Sequence, residues 1–598
     1  MHYGLSLRVA LLVLLGGGLL QQGRLAAGAP PGAQRYHGAI TIGTDSFIST
    51  SIFGNLSYAG SDLSNEPLID APIALDAHGN YVPDLATVAP TVANGGIRVV
   101  RGDEVVTIHL KPDQRWSDGS PITPADYIGA LLLGVSPDVS ITCNGPYYKS
   151  AVATATVLII TFKGIYGPAL DGCIPAPVPV EYLQRKYGQR LPPGLLTSFD
   201  ADQAAALYGG SSYKGSALRQ LINLWLQDPY NLATDRWSGP YVQARSVADR
   251  LTVYSPNPYY AARPLDPRHP RPAKIETVVR DFTDPAVLKS IASPGVYATY
   301  DLLAYFDPTA LPILRRSRYT EVLALFDSIE HLELNQANPA LRDARVRQAL
   351  AYGIDKVAYL KAVYPALTSA EVAAAPQSAP VPSVSSWSID GGLVKTPYNL
   401  ARARALLAAA GYAPSPQSPG RRLRLSFYTT EAPYRVRSAQ ALQRQWARLG
   451  ITLTLHYAPQ SGQSGLFSSY PEGGILARRG FDITEFTVVM TAEPTNLLFY
   501  LDPGQIPDQD HPDGMNYAGV RDVRLLELLT QAEHTADAGA RRRLYAQAQH
   551  RIVDRAYWIP LFAPPSILLV KPTIGNFVYS SSGNYGWNAY AWYRNDAR

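Results

Sequence analysis

Cysteine and methionine are nearly missing from this chain, with two and three residues among 598. Two cysteines cannot build a thiolate metal site, which needs more ligands. They leave room for one disulfide, Cys143 to Cys173, provided that the chain is exported to an oxidising compartment. Closing that loop of about 30 residues would stabilise by roughly 3–4 kcal/mol. Charge is also modest, at 17% of residues with a net +5. Lysine and arginine are scattered, with no basic stripe, which speaks against a nucleic-acid partner. Beyond the first 20 residues no apolar run is long enough to cross a bilayer, which takes about 20 residues. The motifs of common chemistries are missing too. There is no phosphate loop of the G-x-x-x-x-G-K-[ST] type and no H-E-x-x-H pair. Gly462-Gln-Ser464-Gly465 is one residue too tight for a nucleophile elbow. Asp508, Asp510 and Asp513 gather as in a calcium loop, but Pro512 takes the third ligand position, so a solvated turn is expected. His456, His511, His534 and His550 lack metal-ligand spacing. No cofactor, metal site or catalytic residue is expected.

Other features are plentiful. Hydrophobic residues make up 46% of the chain, enough for large cores, and the length suggests about four domain-sized units. Tyrosines outnumber phenylalanines by 38 to 14. A tyrosine offers a flat apolar face and a hydroxyl, useful on adaptable binding surfaces. At the N-terminus Arg8 precedes the apolar run Val9 to Leu20, and the small residues Ala26, Ala27 and Ala29 follow. This layout predicts a secretory signal peptide over residues 1–29, with an uncleaved anchor as the alternative. It contains no cysteine for lipid attachment. An exported, non-lipidated protein at the periplasmic or extracellular face of the membrane is expected.

The stretch Glu333 to Leu360 organises the chain. Leu332 and Leu334 alternate with Glu333, which predicts a strand with one buried face. Asn335 to Pro339 is turn chemistry. Asp343 sits where an N-cap belongs. Val346, Ala349, Leu350 and Gly353 make one apolar helical stripe, with Arg345 and Arg347 off it. Asp355 caps a second short helix. Further on, Asn399 caps a helix that ends at Gly411. A strand through Leu423, Leu425 and Phe427, a helix from Val436 to Leu449 and a strand from Ile451 predict a right-handed βαβ unit.

Several motifs agree in order with one family. Pro339, Asp343, Arg345-Val346-Arg347-Gln348-Ala349 and Ile354-Asp355-Lys356 resemble the signature of family 5 extracellular solute-binding proteins, the peptide, nickel and opine receptors of ABC importers. Asp76, Gly79, Pro83, Leu85 and Ala86 match its D-x-x-G-x-x-x-P-x-L-A. Trp116-Ser117-Asp118-Gly119, Pro121, Thr123 and Asp126 match W-S-D-G-x-P-x-T-x-x-D. Trp237 to Tyr241 is similar to its G-T-G-P-Y. The resemblance runs from about residue 40 to the end, weakly over 184–236 and 300–325.

It implies an α/β, two-lobed periplasmic-binding-protein-like fold (type II, the large family 5 variant) with an extra subdomain. Lobe I would hold 36–328, including the subdomain at about 70–236, and the return at 565–598. Lobe II would hold 329–564. It implies a monomeric receptor that captures a small solute between the lobes and delivers it to ABC transporter permease subunits. An oligopeptide is the family default. Peptide-binding relatives place an aspartate after a Phe-Asp pair, where it holds the free amino terminus of the peptide. Here Met490 or Thr491 takes that place, depending on alignment to Pro494 or to Phe481-Asp482. Glu493 is the remaining carboxylate nearby, as a ligand group or as an acid at a helix N-terminus. The candidate ligand-binding residues are therefore Tyr58, Trp387, Met490, Thr491, Glu493 and Asn496. Blocked peptides, oligosaccharides and other neutral or zwitterionic solutes remain open. An exported hydrolase, or a sensor or chaperone on the same fold, is the alternative.

Overall fold

In the computed structural model, residues 36–44 and 67–596 are described, apart from short internal stretches such as 137–142, 228–235, 293–299, 305–310, 390–396 and 581–585. The signal-peptide expectation and Tyr58 lie outside the described residues.

Two large sheets form the frame of two lobes. The first has seven strands in the order Thr320–Leu325, Pro565–Val570, Leu302–Ala304, Ala39–Thr44, Lys274–Val279, Leu251–Pro256 and Tyr241–Val247. Its centre is parallel, Ala39–Thr44 lying between Lys274–Val279 and Leu302–Ala304. The second has five strands in the order Thr452–Ala458, Arg424–Thr430, Ile483–Val489, Ser328–Leu334 and Trp558–Phe562. A third, antiparallel sheet of five strands spans Ile97–Val100 to Ser198–Asp200 and has its own apolar core around Ile108, Leu131 and Ile160. Cys143 and Cys173 are joined in that core by a disulfide with Cα atoms 4.9 Å apart.

The third sheet is fastened to the first lobe. Arg236 pairs with Asp118 at 2.5 Å. Ser117 Oγ accepts the N–H of Trp237, and Gly119 lies so close to Tyr259 that a Cβ would meet its ring at 2.8 Å. The W-S-D-G turn therefore docks the small sheet on the large one.

Among the described residues, two chain crossings connect the lobes. Thr320–Leu325 leads into Ser328–Leu334, and Trp558–Phe562 leads into Pro565–Val570. The crossings run antiparallel and side by side: Glu330 pairs with Phe562 on one side, Leu325 with Pro565 on the other. Asp327 and the pair Ala563-Pro564 lie in the short breaks between the strands.

The organising stretch folds as its period dictates, with two differences. Asp343 caps the helix Ala344–Tyr352, accepting the N–H of Arg345 at 2.9 Å. Asp355 caps Lys356–Val363 and Asn399 caps Leu400–Ala409. Val346, Ala349 and Leu350 are fully buried, and a Cβ on Gly353 would meet Leu449 at 2.7 Å. The predicted βαβ unit is present, with Arg424–Thr430 parallel to Thr452–Ala458 around the helix Pro433–Ala447. The strand Ser328–Leu334, however, is buried on both faces, because strands flank it on each side and helices cover it. Glu333 is thus a core residue rather than a solvent-facing one. Arg347 is buried as well: its guanidinium donates to the carbonyls of Leu341, Arg342, Arg555 and Ala556 and lies 5.3 Å from the Tyr557 ring centre. At Asp508 the structure has a solvated turn, the carboxylate accepting the N–H groups of Asp510 and His511.

Candidate functional site

The strand Ile483–Val489 carries the chain to the break between the lobes and turns there. Met490 donates its N–H to the carbonyl of Asp327 at 2.7 Å, which ties this turn to one crossing strand. The Met490 side chain is 5% exposed and packs in the second lobe's core with Ile329 and Val488. It is a core residue, not an open binding group. Thr491 spends its hydroxyl inside the turn, donating to the carbonyl of Glu493 and lying 3.1 Å from the Thr495 hydroxyl. Asn496 donates to the carbonyl of Val489 at 2.7 Å. Exposed apolar side chains flank the turn, Val489 on one side and Phe499 on the other.

Glu493 precedes Pro494 and is fully buried. It does not cap the following turn. Both of its oxygens are held by Arg541 from the helix Ala538–Asp554, at 2.7 and 2.9 Å, a two-pronged pairing that matches guanidinium to carboxylate. Arg541 also donates to the carbonyls of Thr535 and Ala536. Trp387 is 5% exposed, stands edge-on to Tyr545, and carries the Arg542 guanidinium 4.3 Å from its ring centre. Trp387 and Glu493 are thus brought together through this helix, both as parts of the second lobe's wall. Burial pushes the Glu493 carboxyl up, and Arg541 draws it back.

Against this wall lies the third sheet. Gly167 donates to the carbonyl of Glu533 at 2.7 Å, and the Tyr147 hydroxyl donates to the Glu533 carboxylate. A Cβ on Gly167 would stand 2.3 Å from the carbonyl of Thr535, so glycine is what allows this approach. Asp171 accepts the N–H groups of Ala492 and Glu493, and the Tyr81 hydroxyl faces Glu493. Glu104, fully buried, adds a third carboxylate; the backbone N–H of Tyr166 turns towards it, and no cation pairs with it among the described residues. Burial holds Glu104 at about 7 and Asp171 at about 8. Arg541, Asp171, Glu104, Tyr81 and Tyr545 were not singled out from the sequence. The Arg541-Arg542-Arg543 triplet was their one visible trace.

Two lobes, two adjacent crossings and a polar contact across the gap are the parts of a protein that closes on a solute. The family model of "Bacterial extracellular solute-binding proteins, family 5 Middle" matches residues 80–475. The chain belongs to that family. It is a binding protein working outside the cytoplasmic membrane with an ABC transporter permease as its partner, not the hydrolase considered from sequence. Among its relatives, the "Probable deoxycholate-binding periplasmic protein YgiS" of Escherichia coli (strain K12) is 23% identical over 531 residues, 87% of this chain and 86% of that one. The fold is similar to that of the oligopeptide-binding protein of Thermus thermophilus complexed with a pentapeptide. There the TM-score is 0.62 at 20% identity, over 94% of this chain and 97% of that one. It is equally similar to NikZ from Campylobacter jejuni in complex with Ni(L-His), with TM-score 0.63, 17% identity and coverage of 93% and 99%.

Proposed function

We propose that the captured solute is an oligopeptide whose amino terminus is not the anchor. One observation carries this reading. At the turn where the peptide-binding pattern has an aspartate, this chain has Met490, which is buried, and Thr491, which is bonded within the turn. The neighbouring Glu493 is committed to Arg541. A charge-assisted contact contributes about 1.5–3 kcal/mol. Without it, backbone hydrogen bonds and aromatic faces carry recognition, and a blocked terminus costs little. The pentapeptide complex of the Thermus protein supports a peptide-sized ligand on this fold. A second reading, an amphipathic apolar solute, is favoured by the exposed Val489 and Phe499 beside the turn and by the name of the Escherichia coli relative.

Native mass spectrometry of gently purified protein, then of the denatured eluate, identifies what is carried. Calorimetric titration with a pentapeptide, its N-acetyl form and deoxycholate then separates the readings. Free and acetylated peptide are expected to bind within about threefold of each other. A preference for the free form above about tenfold, the size of a lost charge-assisted contact, overturns the unanchored terminus. Binding of deoxycholate alone transfers the assignment to the second reading.

A further inference from the structure

We propose that closing of the two lobes takes up protons, through a cluster of carboxyl groups that the lobe contact buries: Glu104 and Asp171 from the third sheet's side and Glu493 from the second lobe. The inference rests on capture between the lobes and not on which solute is captured.

The charges in this cluster do not balance. Glu493 is paired through both oxygens with Arg541. Glu104 and Asp171 are then left buried with no second cation beside them, and the N–H groups of Ala492 and Glu493 that Asp171 accepts draw it back without offsetting its burial. An unpaired carboxylate away from water is costly enough that the group binds a proton instead. Burial, with the Glu493 charge adding to it, keeps Asp171 at about 8; burial keeps Glu104 at about 7. The other groups turned towards the cluster do not remove this imbalance. They are Tyr81, Tyr166 and Tyr147 on the third sheet's side, and Tyr545, Arg542, Glu533 and the exposed His534 on the second lobe. Tyr81, Tyr166, Tyr147 and Tyr545 are all pushed up and stay neutral. Glu533 is raised by burial and so adds acid rather than base. Arg542, spread over Trp387, is the one further cation among the described residues here, and burial and Arg541 both weaken it.

The third sheet is joined to the second lobe by contact alone, and it is fastened to the first lobe. Bending at the two crossings therefore pulls Asp171 and Glu104 away from Glu493 and lets water in. Free of that contact, the two acids return towards the ordinary carboxylate range of about 4. The closed form thus binds more protons than the open one. It holds its full advantage below about pH 4, where both forms are protonated, and loses it as pH rises through the raised values at about 7 and 8.

The test uses the full chain without ligand. Spin labels on Val99→Cys and Val523→Cys, both exposed positions on opposite sides of the contact, report the lobe distance. The closed-to-open ratio is expected to fall by about a thousandfold between pH 6 and pH 9, about a hundredfold through Asp171 at about 8 and about tenfold through Glu104 at about 7. Glu104→Gln with Asp171→Asn, which fixes both groups neutral, is expected to keep the ratio flat. Asp171→Asn alone serves if the double variant does not fold, and is expected to leave only about a tenfold fall, that of Glu104. His534→Gln is expected to leave the dependence as it is. Gly167→Leu wedges the contact and supplies the open reference. A wild-type ratio that does not change over this range, or a fall that persists in the neutral variant, overturns the proposal. Because no solute is present, neither result bears on what the protein carries.

Discussion

Arg541 shows at the residue scale what a sequence hides. Its partner lies 48 positions away, and the desolvated pair exists only because a helix and a turn meet. Removing one member of such a pair leaves the other charge buried. Arg541→Leu should therefore cost about 3–5 kcal/mol in urea unfolding, while Glu493→Leu with Arg541→Leu should recover most of it. A single variant with under about 1 kcal/mol of loss would show that Glu493 simply takes a proton instead. The same limit applies to Glu330, held at 2.9 Å by Arg435 across 105 positions, and to Glu485 beside it, which burial and Glu330 hold at about 8. Nothing local marks these acids as core residues. Alternation placed Glu333 in solvent because it counts faces, not the neighbours that cover them.

Elements fared better, since their signals are local. Caps at Asp343, Asp355 and Asn399 and the apolar stripe of Ala344–Tyr352 follow from spacing alone, and each is present. The stripe ends on Gly353, where the helix comes against Trp446 and Leu449. Gly353→Val should overpack this joint and cost about 1–3 kcal/mol, read from the denaturation midpoint; an unchanged midpoint would mean that the neighbours yield freely. The disulfide is an element-scale staple of the third sheet's core. Cys143→Ala with Cys173→Ala should lower stability by about 3–4 kcal/mol, the cost of reopening its loop. The fall should appear in the oxidised protein and vanish against a reduced control. The βαβ unit was legible for the same reason as the caps. The turn at Met490 was legible as a place but not as a surface: which of its groups are spent internally depends on Asp327 and Arg541, far along the chain.

At the scale of the whole molecule, the lobes share apolar packing near the crossings. Leu288, Leu311, Leu314 and Leu569 of the first lobe belong to one buried cluster with Leu332, Leu367 and Val372 of the second. Arg315 adds a bridge to Glu371 at 2.9 Å. The two large sheets should therefore melt together. Far- and near-ultraviolet circular dichroism are expected to give coincident midpoints, and two resolved transitions for the lobes would contradict the shared core. The motif order announced the architecture of this frame. It did not announce the contact between Gly167 and Glu533, because neither residue belongs to a motif.

The paired crossings carry one more consequence. Two strands bonded edge to edge can bend together across their common break, but sliding or counter-rotating them would shear the ladder between Glu330–Phe562 on one side and Leu325–Pro565 on the other. The molecule is left with essentially a single soft coordinate. Its conformational state is then one angle, and any well-placed pair of probes reads the whole of it.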